Sequence, residues 1–205
     1  MIRLLLIVGI IAGLGYIARD AVSQPYREAG YRWQTDDFPL PVDLSRLSGL
    51  DELSANQVQD AARDAMAAWN RATDRELFRE DSGGNSITVD DTIPNPAETT
   101  MEPDTAGPSQ PEAFRILVSS EYSYSVAPSG EGEQYDLPTV LAHELGHVLG
   151  LGDAVPRSPY DLAELLCLAP PWKGRLMCPR GEGQVVRAPG PDDLKGFWVI
   201  YADLR

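Results

Sequence analysis

The strongest hydrophobic pattern in the chain predicts a long amphipathic helix over residues 55–75. Ser54, followed three residues later by Gln57, matches a capping box and marks the start of this helix. Charged residues lie mostly on the opposite side, so we expect a core helix without a chemical role. The apolar residues that recur at three- and four-residue spacing, the period of one helix face, are Val58, Ala61, Ala62, Ala65, Met66, Trp69 and Ala72.

Two further helices and several short strands complete the predicted elements. One helix begins near Pro138 and another near Pro191, since proline suits the first turn of a helix. Residues 86–90 and 114–119 are rich in residues that favour strands. This mixture of helices and strands predicts an α/β (α+β) fold class.

Prolines predict irregular chain in two regions. Residues 31–44 should be extended, and Pro39 and Pro41 limit them to an edge or irregular strand. Residues 91–112 contain five prolines and several acids, which predicts a long surface loop. Neither region indicates a second domain.

The amino end has the pattern of an export signal. Residues 4–18 form a 15-residue apolar run, which is short of the roughly 20 residues that a membrane-spanning helix needs. Ala21 and Ser23 would stand at the −3 and −1 positions of a cleavage site before Gln24, an imperfect small-residue pattern. We expect residues 1–23 to be a signal peptide, or alternatively an uncleaved membrane anchor, and residues 24–205 to form a single domain. The protein should then be secreted, periplasmic or otherwise extracellular, unless the segment 4–18 holds it at a membrane.

Composition excludes several classes of function. The 205 residues carry 17 Lys+Arg against 31 Asp+Glu, a net charge of −14, so binding to nucleic acid is not expected. Two cysteines are too few for a disulfide-dense scaffold. Only two histidines are present, His143 and His147. A metal site with three histidines is therefore excluded.

Both histidines belong to the sequence His143-Glu144-Leu145-Gly146-His147, the H-E-x-x-H pattern, within the second predicted helix. Residues four apart on a helix differ by about 40° around the axis and about 6 Å along it, so two imidazoles can converge on one metal ion. Glu144 is turned away from the histidines and can instead reach a metal-held water as a base. The pattern therefore predicts a catalytic metal centre.

A carboxylate must supply the third ligand, because the chain has no further histidine. Gly150 follows His147 by three residues, where glycine allows the left-handed conformation that ends a helix sharply. That turn would bring Asp153 back toward the two histidines. Glu164, in a possible following helix, is the alternative, since a glutamate from a later helix serves in some zinc sites.

The segment HELGHVLGLGD resembles the zinc motif of metzincin proteases, and most closely that of the matrixins. Aspartate at its last position, where matrixins have histidine, is similar to the H-E-x-x-H-x-x-G-x-x-D motif of the snapalysin group. RLMCP at residues 175–179 resembles the segment around the matrixin Met-turn. YRWQ and AMAAWNRATD resemble the opening strand and first helix of matrixin catalytic domains.

The resemblance implies a zincin catalytic domain with a twisted mixed β-sheet, a long core helix, an active-site helix and a C-terminal helix. Its two subdomains would divide near residue 150. It implies a zinc endopeptidase that cuts a peptide or protein substrate, with one Zn²⁺, Glu144 as general base of the attacking water, and Met177 as an apolar floor beneath the metal. We expect a monomer. A calcium site is possible in the family, but no calcium-binding loop is recognisable among the acidic residues of positions 81–104.

Cys167 and Cys178 are the remaining candidate pair. In an exported protein a disulfide between them is expected, whereas a cytosolic chain would keep two buried thiols.

Two other functions remain open on the sequence. One is an exported zinc-binding module without catalysis, and the other is a membrane-anchored structural protein whose H-E-x-x-H is coincidental.

Overall fold

The computed structural model describes residues 26–50, 53–104, 107–130, 132–155 and 166–205. The predicted signal segment 1–23 and the alternative ligand Glu164 lie outside these residues. The described part contains the helices α1 (Ala55–Thr73), α2 (Leu137–Val148) and α3 (Pro191–Ile200). Its strands are β1 (Arg27–Glu28), β2 (Leu40–Asp43), β3 (Phe78–Glu80), β4 (Asn85–Asp90), β5 (Ala97–Asp104), β6 (Gly107–Ser119), β7 (Tyr124–Ser125), β8 (Tyr135–Asp136) and β9 (Leu151–Gly152).

The main sheet has five strands in the order β3-β2-β4-β6-β5. The first four strands are parallel to one another, and β5 runs antiparallel to β6 at one edge. Two pairs, β1 with β9 and β7 with β8, form small separate sheets. The described residues thus form a mixed sheet with helices, which agrees with the predicted α+β class.

The expectation of an edge or irregular strand within residues 31–44 is wrong, because β2 lies between β3 and β4. Two features let Pro41 occupy an inner strand. Strand β4 pairs with β2 only at Val42 and Asp43, so the missing N–H of Pro41 removes no bond to β4. The carbonyl oxygen of Pro41 accepts a hydrogen bond from Asn85 Nδ2 at 2.8 Å.

The predicted surface loop over residues 91–112 is also wrong, because β5 and the beginning of β6 lie there. The prolines are tolerated because β5 is an edge strand, and the register of the β5–β6 pair shifts at Pro103. Side chains of β5 alternate: Ala97 is buried and Met101 packs against the core, whereas Thr100 is exposed.

Helix α1 is confirmed almost to the predicted bounds, with Ser54 and Gln57 forming the predicted capping box. It packs against α2, where the indole of Trp69 donates a hydrogen bond to the carbonyl of Ala142 at 2.8 Å. Both helices share one hydrophobic core with the inner side of the main sheet. This packing fixes the helix that carries both histidines.

The predicted disulfide between Cys167 and Cys178 is present, with 5.8 Å between the Cα atoms. It lies in a small hydrophobic cluster with Val155 and Trp172, separate from the main core. Helix α3 follows and contributes Phe197 to that main core. Among the described residues, no helix is both long enough and apolar enough to cross a membrane.

Candidate metal centre

Helix α2 presents both histidines on one side. Its N-cap is Asp136, whose carboxylate accepts a hydrogen bond from the backbone N–H of Thr139 at 3.1 Å. The imidazole rings of His143 and His147 lie with their centroids 4.7 Å apart. Each is mostly buried, so their common side forms a sheltered position for an ion.

The outer nitrogen of each ring is fixed by a backbone carbonyl. His143 Nδ1 lies 2.8 Å from the carbonyl oxygen of Leu176, and His147 Nδ1 lies 2.8 Å from that of Leu151. A carbonyl only accepts hydrogen bonds, so both Nδ1 atoms must carry the proton. In the neutral rings the lone pairs therefore lie on the Nε2 atoms, the tautomer that metal-binding histidines adopt.

Asp153 reaches these two nitrogens through the turn at Gly150. Gly150 has a φ of +82°, and its N–H donates to the carbonyl of His147 at 2.8 Å. A Cβ at Gly150 would also lie 2.5 Å from the carbonyl oxygen of Tyr31, so glycine is required for space as well. Asp153 Oδ1 lies 3.2 Å from Nε2 of His143 and 3.5 Å from Nε2 of His147.

With both rings neutral, three acceptor atoms would meet at one point, so either a proton or a metal ion must lie between them. Burial lowers the pKa of His143, but the hydrogen bond and charge of Asp153 outweigh burial and raise this pKa to about 9. Burial raises the pKa of Asp153, but its hydrogen bonds with both histidines hold that pKa well below the usual range. The cluster favours a bound cation, and two imidazole nitrogens with one carboxylate oxygen are ligands that zinc accepts.

Glu144 places a second carboxylate beside the histidine pair. One of its oxygens lies within 4.8 Å of the ligand nitrogens of His143 and His147, a group that could itself hold a metal ion. The residue is only 7% exposed. Its Oε2 accepts a hydrogen bond from Thr99 Oγ1 of β5 at 2.6 Å. Glu144 therefore lies ready to receive a proton near the metal position.

Met177 packs directly against α2 at Gly146, the residue before His147. It is 3% exposed, and a Cβ built at Gly146 would overlap its sulfur. The same Cβ would come within 3.1 Å of the Trp69 ring. Gly146 is thus needed for the close approach of Met177, and no local pattern in the sequence indicates this contact.

Asp193 holds the turn that contains Met177. Its buried carboxylate accepts hydrogen bonds from the backbone N–H groups of Leu176 at 2.7 Å, Met177 at 3.1 Å and Gly190 at 2.7 Å. Burial raises the pKa of Asp193, and these hydrogen bonds oppose that rise. Because the carbonyl of Leu176 accepts from His143, Asp193 fixes this imidazole through one peptide unit.

Two aromatic side chains from the segment before β2 donate hydrogen bonds to carbonyl groups at the carboxyl end of α2. The Tyr31 hydroxyl donates to the carbonyl of His147 at 2.6 Å, and the Trp33 indole donates to that of Val148 at 2.8 Å. Helix ends leave such carbonyls without helical partners. Sequence reasoning assigned no role to Tyr31, Trp33, Thr99 or Asp193. The paired acids at the start of α3 were the one local signal for Asp193.

No protein-family model matches the chain, and no curated protein matches it. The function must therefore be inferred from the chemistry of the site.

Proposed function

We propose that the protein is a zinc-dependent endopeptidase of the metzincin type, with His143, His147 and Asp153 as zinc ligands and Glu144 as general base. One observation is central to this proposal. The Nε2 atoms of both histidines converge on Asp153 Oδ1, and the Glu144 carboxylate lies beside them. A solvated surface cluster would not need both Nδ1 atoms to be fixed by carbonyls.

The residues present fit a catalytic zinc site better than a structural one. Three protein ligands leave a fourth position for water or substrate, whereas structural sites use four protein ligands, most often cysteines. Both cysteines of this chain are paired in a disulfide and cannot serve. A bound zinc ion would act as a Lewis acid toward a substrate carbonyl and make a nearby water more acidic.

Glu144 is the proton carrier in the proposed reaction. Its carboxylate accepts a proton from the water that attacks the scissile carbonyl carbon. The same carboxyl group then returns that proton to the departing amine, so the peptide bond is cleaved without a covalent enzyme intermediate. Burial of Glu144 keeps the carboxylate away from bulk water between these two transfers.

The arrangement around the site supports the metzincin assignment. A sheet with one antiparallel edge strand lies beside the helix of the two histidines, the chain turns sharply at Gly150, and Met177 packs beneath that helix. The edge strand β5 has no partner strand on its outer side among the described residues. Such an edge can pair with an extended peptide, which suits a peptide or protein substrate.

The remaining expectations belong to the same proposal. The Cys167–Cys178 disulfide supports an exported protein, because such bonds persist in oxidising compartments. In this proposal residues 1–23 are a signal segment, and residues 24–205 form a single domain with two subdomains that divide near residue 150. The protein is a monomer.

The test combines metal analysis with proteolysis. We expect the purified protein to contain about one zinc per chain and to cleave casein, and we expect 1,10-phenanthroline to stop cleavage reversibly. Glu144→Ala should keep the zinc and lose cleavage by about 10³-fold or more. Glu121→Ala removes an exposed acid from the same chain and is the matched control. Cleavage that survives in Glu144→Ala would refute the catalytic role, and a zinc-loaded wild type without peptidase activity would favour a binding module.

A further inference from the structure

Strand β5 places one polar side chain in a position where its neighbours are apolar. Ala97 and Met101, two residues away on either side of Thr99, face the core. Thr99 itself is in register with Ile116 of β6, which is fully buried. Valine has nearly the same shape as threonine, so packing alone does not require a hydroxyl at this position.

The hydroxyl of Thr99 is used by Glu144. Thr99 Oγ1 lies 2.6 Å from Glu144 Oε2 and 3.2 Å from the carbonyl oxygen of the same residue. A carboxylate and a carbonyl only accept, so Thr99 must donate its single proton, and the shorter distance directs it to Oε2. Hydrogen bonds to an ionised oxygen are about twice as strong as neutral ones.

We propose that Thr99 is a positioning residue that fixes the Glu144 carboxylate so that its other oxygen faces the water to be deprotonated. This inference rests on the proposed peptidase function. A glutamate side chain has three rotatable bonds, and α2 fixes only its backbone. The bond to β5 restricts rotation of this side chain, and a Glu144 carboxylate oxygen lies within 4.8 Å of the ligand nitrogens of both histidines. The edge strand that lies beside the substrate position would thereby also orient the base.

The kinetic test replaces Thr99 with the isosteric Val. We expect kcat for a casein-derived peptide to fall about tenfold or more, while KM changes less than about twofold, because orientation of the base affects the transition state rather than substrate binding. Thr99→Ser keeps the hydroxyl and should restore kcat to within about threefold. Thr92→Val makes the same change at an exposed threonine outside β5, whose hydroxyl bonds Asp90, and should leave both constants unchanged. Zinc content should be equal in all variants.

A second measurement needs neither zinc nor substrate. In the metal-free protein, Thr99→Val removes the hydroxyl that donates to the buried Glu144 carboxylate. In a Glu144→Ala background that carboxylate is absent, so the same change at Thr99 removes no such hydrogen bond. We therefore expect Thr99→Val to lower the melting temperature by about 2–4 °C more in the presence of Glu144 than in its absence.

The outcomes separate the two proposals. A wild type that cleaves no peptide overturns the proposed function. An active wild type with a zinc-loaded Thr99→Val variant of equal kcat overturns the positioning role alone. Additive melting shifts in the cycle would likewise overturn it, because they would show that Thr99 only ties β5 to the backbone of α2.

Discussion

The two sides of the candidate metal centre are built by different means. His143, Glu144 and His147 come from one helix, whose geometry sets their spacing before any tertiary contact forms. Asp153 and Met177 come from turns, which are held by hydrogen bonds from distant residues and lie near a disulfide. The helix side is therefore specified locally, and the turn side depends on the completed fold. The substitutions below test whether both sides are equally necessary.

The largest effect is expected at the point where the two sides meet. Asp153→Ala removes the proposed ligand of the turn side and leaves both histidines in place. We expect zinc affinity to fall by about 100-fold or more and casein cleavage to fall with it, since two imidazoles alone hold zinc weakly. Competition with a chromophoric chelator measures the affinity.

The matched control for Asp153→Ala is Asp203→Ala, which removes an exposed acid paired with Arg32. That variant should bind zinc like the wild type. Full zinc occupancy in Asp153→Ala would place the third ligand elsewhere, with Glu164 as the first residue to examine. The helix side would then be sufficient together with a residue outside the described chain.

The next effect concerns the carboxylate that supports the turn side. Asp193→Ala removes the acceptor of three backbone N–H groups, two of them buried, so we expect unfolding free energy to fall by about 2–4 kcal/mol. Zinc affinity should also fall, because the carbonyl that fixes His143 belongs to the same turn. Urea unfolding of the metal-free protein measures the first effect.

Asp192 provides the comparison for Asp193. It is the preceding residue, it is more exposed, and its carboxylate pairs with Arg175 Nε at 2.8 Å. Because Arg175 is buried, the matched change is Asp192→Asn, which keeps an oxygen acceptor for this guanidinium, should cost less stability than Asp193→Ala and should leave zinc affinity unchanged. Equal losses in the two variants would show that Asp193 acts only as one of two acids at the start of α3.

A smaller effect is expected from the disulfide. Cys167→Ala/Cys178→Ala opens a loop of 11 residues, and loop-closure arithmetic gives a loss of about 2–3 kcal/mol in unfolding free energy. The helix side lies in the other hydrophobic cluster, so zinc affinity should change much less than in Asp193→Ala. A loss of zinc equal to that of Asp193→Ala would extend the turn side to the disulfide.

The sequence predicted those parts of the fold that local patterns determine. Helix α1 has both a capping box and a regular apolar face, and its observed bounds agree with the prediction. Strand β5 was missed because its prolines and acids resemble a loop, and only pairing with β6 makes it a strand. Pro41 led to the wrong prediction of an edge or irregular strand for a similar reason. A proline fits the inner strand β2 only because β4 pairs with β2 from Val42 onward, which the sequence does not show.

The candidate site divides along the same line. His143, Glu144 and His147 were identified because a helix converts sequence spacing into geometry. Asp153 was also predicted as a site residue, because Gly150 indicates a sharp turn that brings it back toward the histidines. Residues Tyr31 and Thr99 were not, since they lie 116 and 45 residues from the α2 groups that they contact. No local pattern indicates a hydrogen bond that only tertiary folding creates.

The smallest effect tests whether the helix side is as independent as its local geometry suggests. Tyr31→Phe removes one donor from the carbonyl of His147 and should lower unfolding free energy by about 1 kcal/mol. Tyr122→Phe removes a hydroxyl that donates to Pro94 and serves as the control. If the helix alone fixes His147, zinc affinity stays unchanged in both variants. A fall of tenfold in Tyr31→Phe only would show that the helix side also depends on a distant residue, and the contrast between the two sides would then be one of degree.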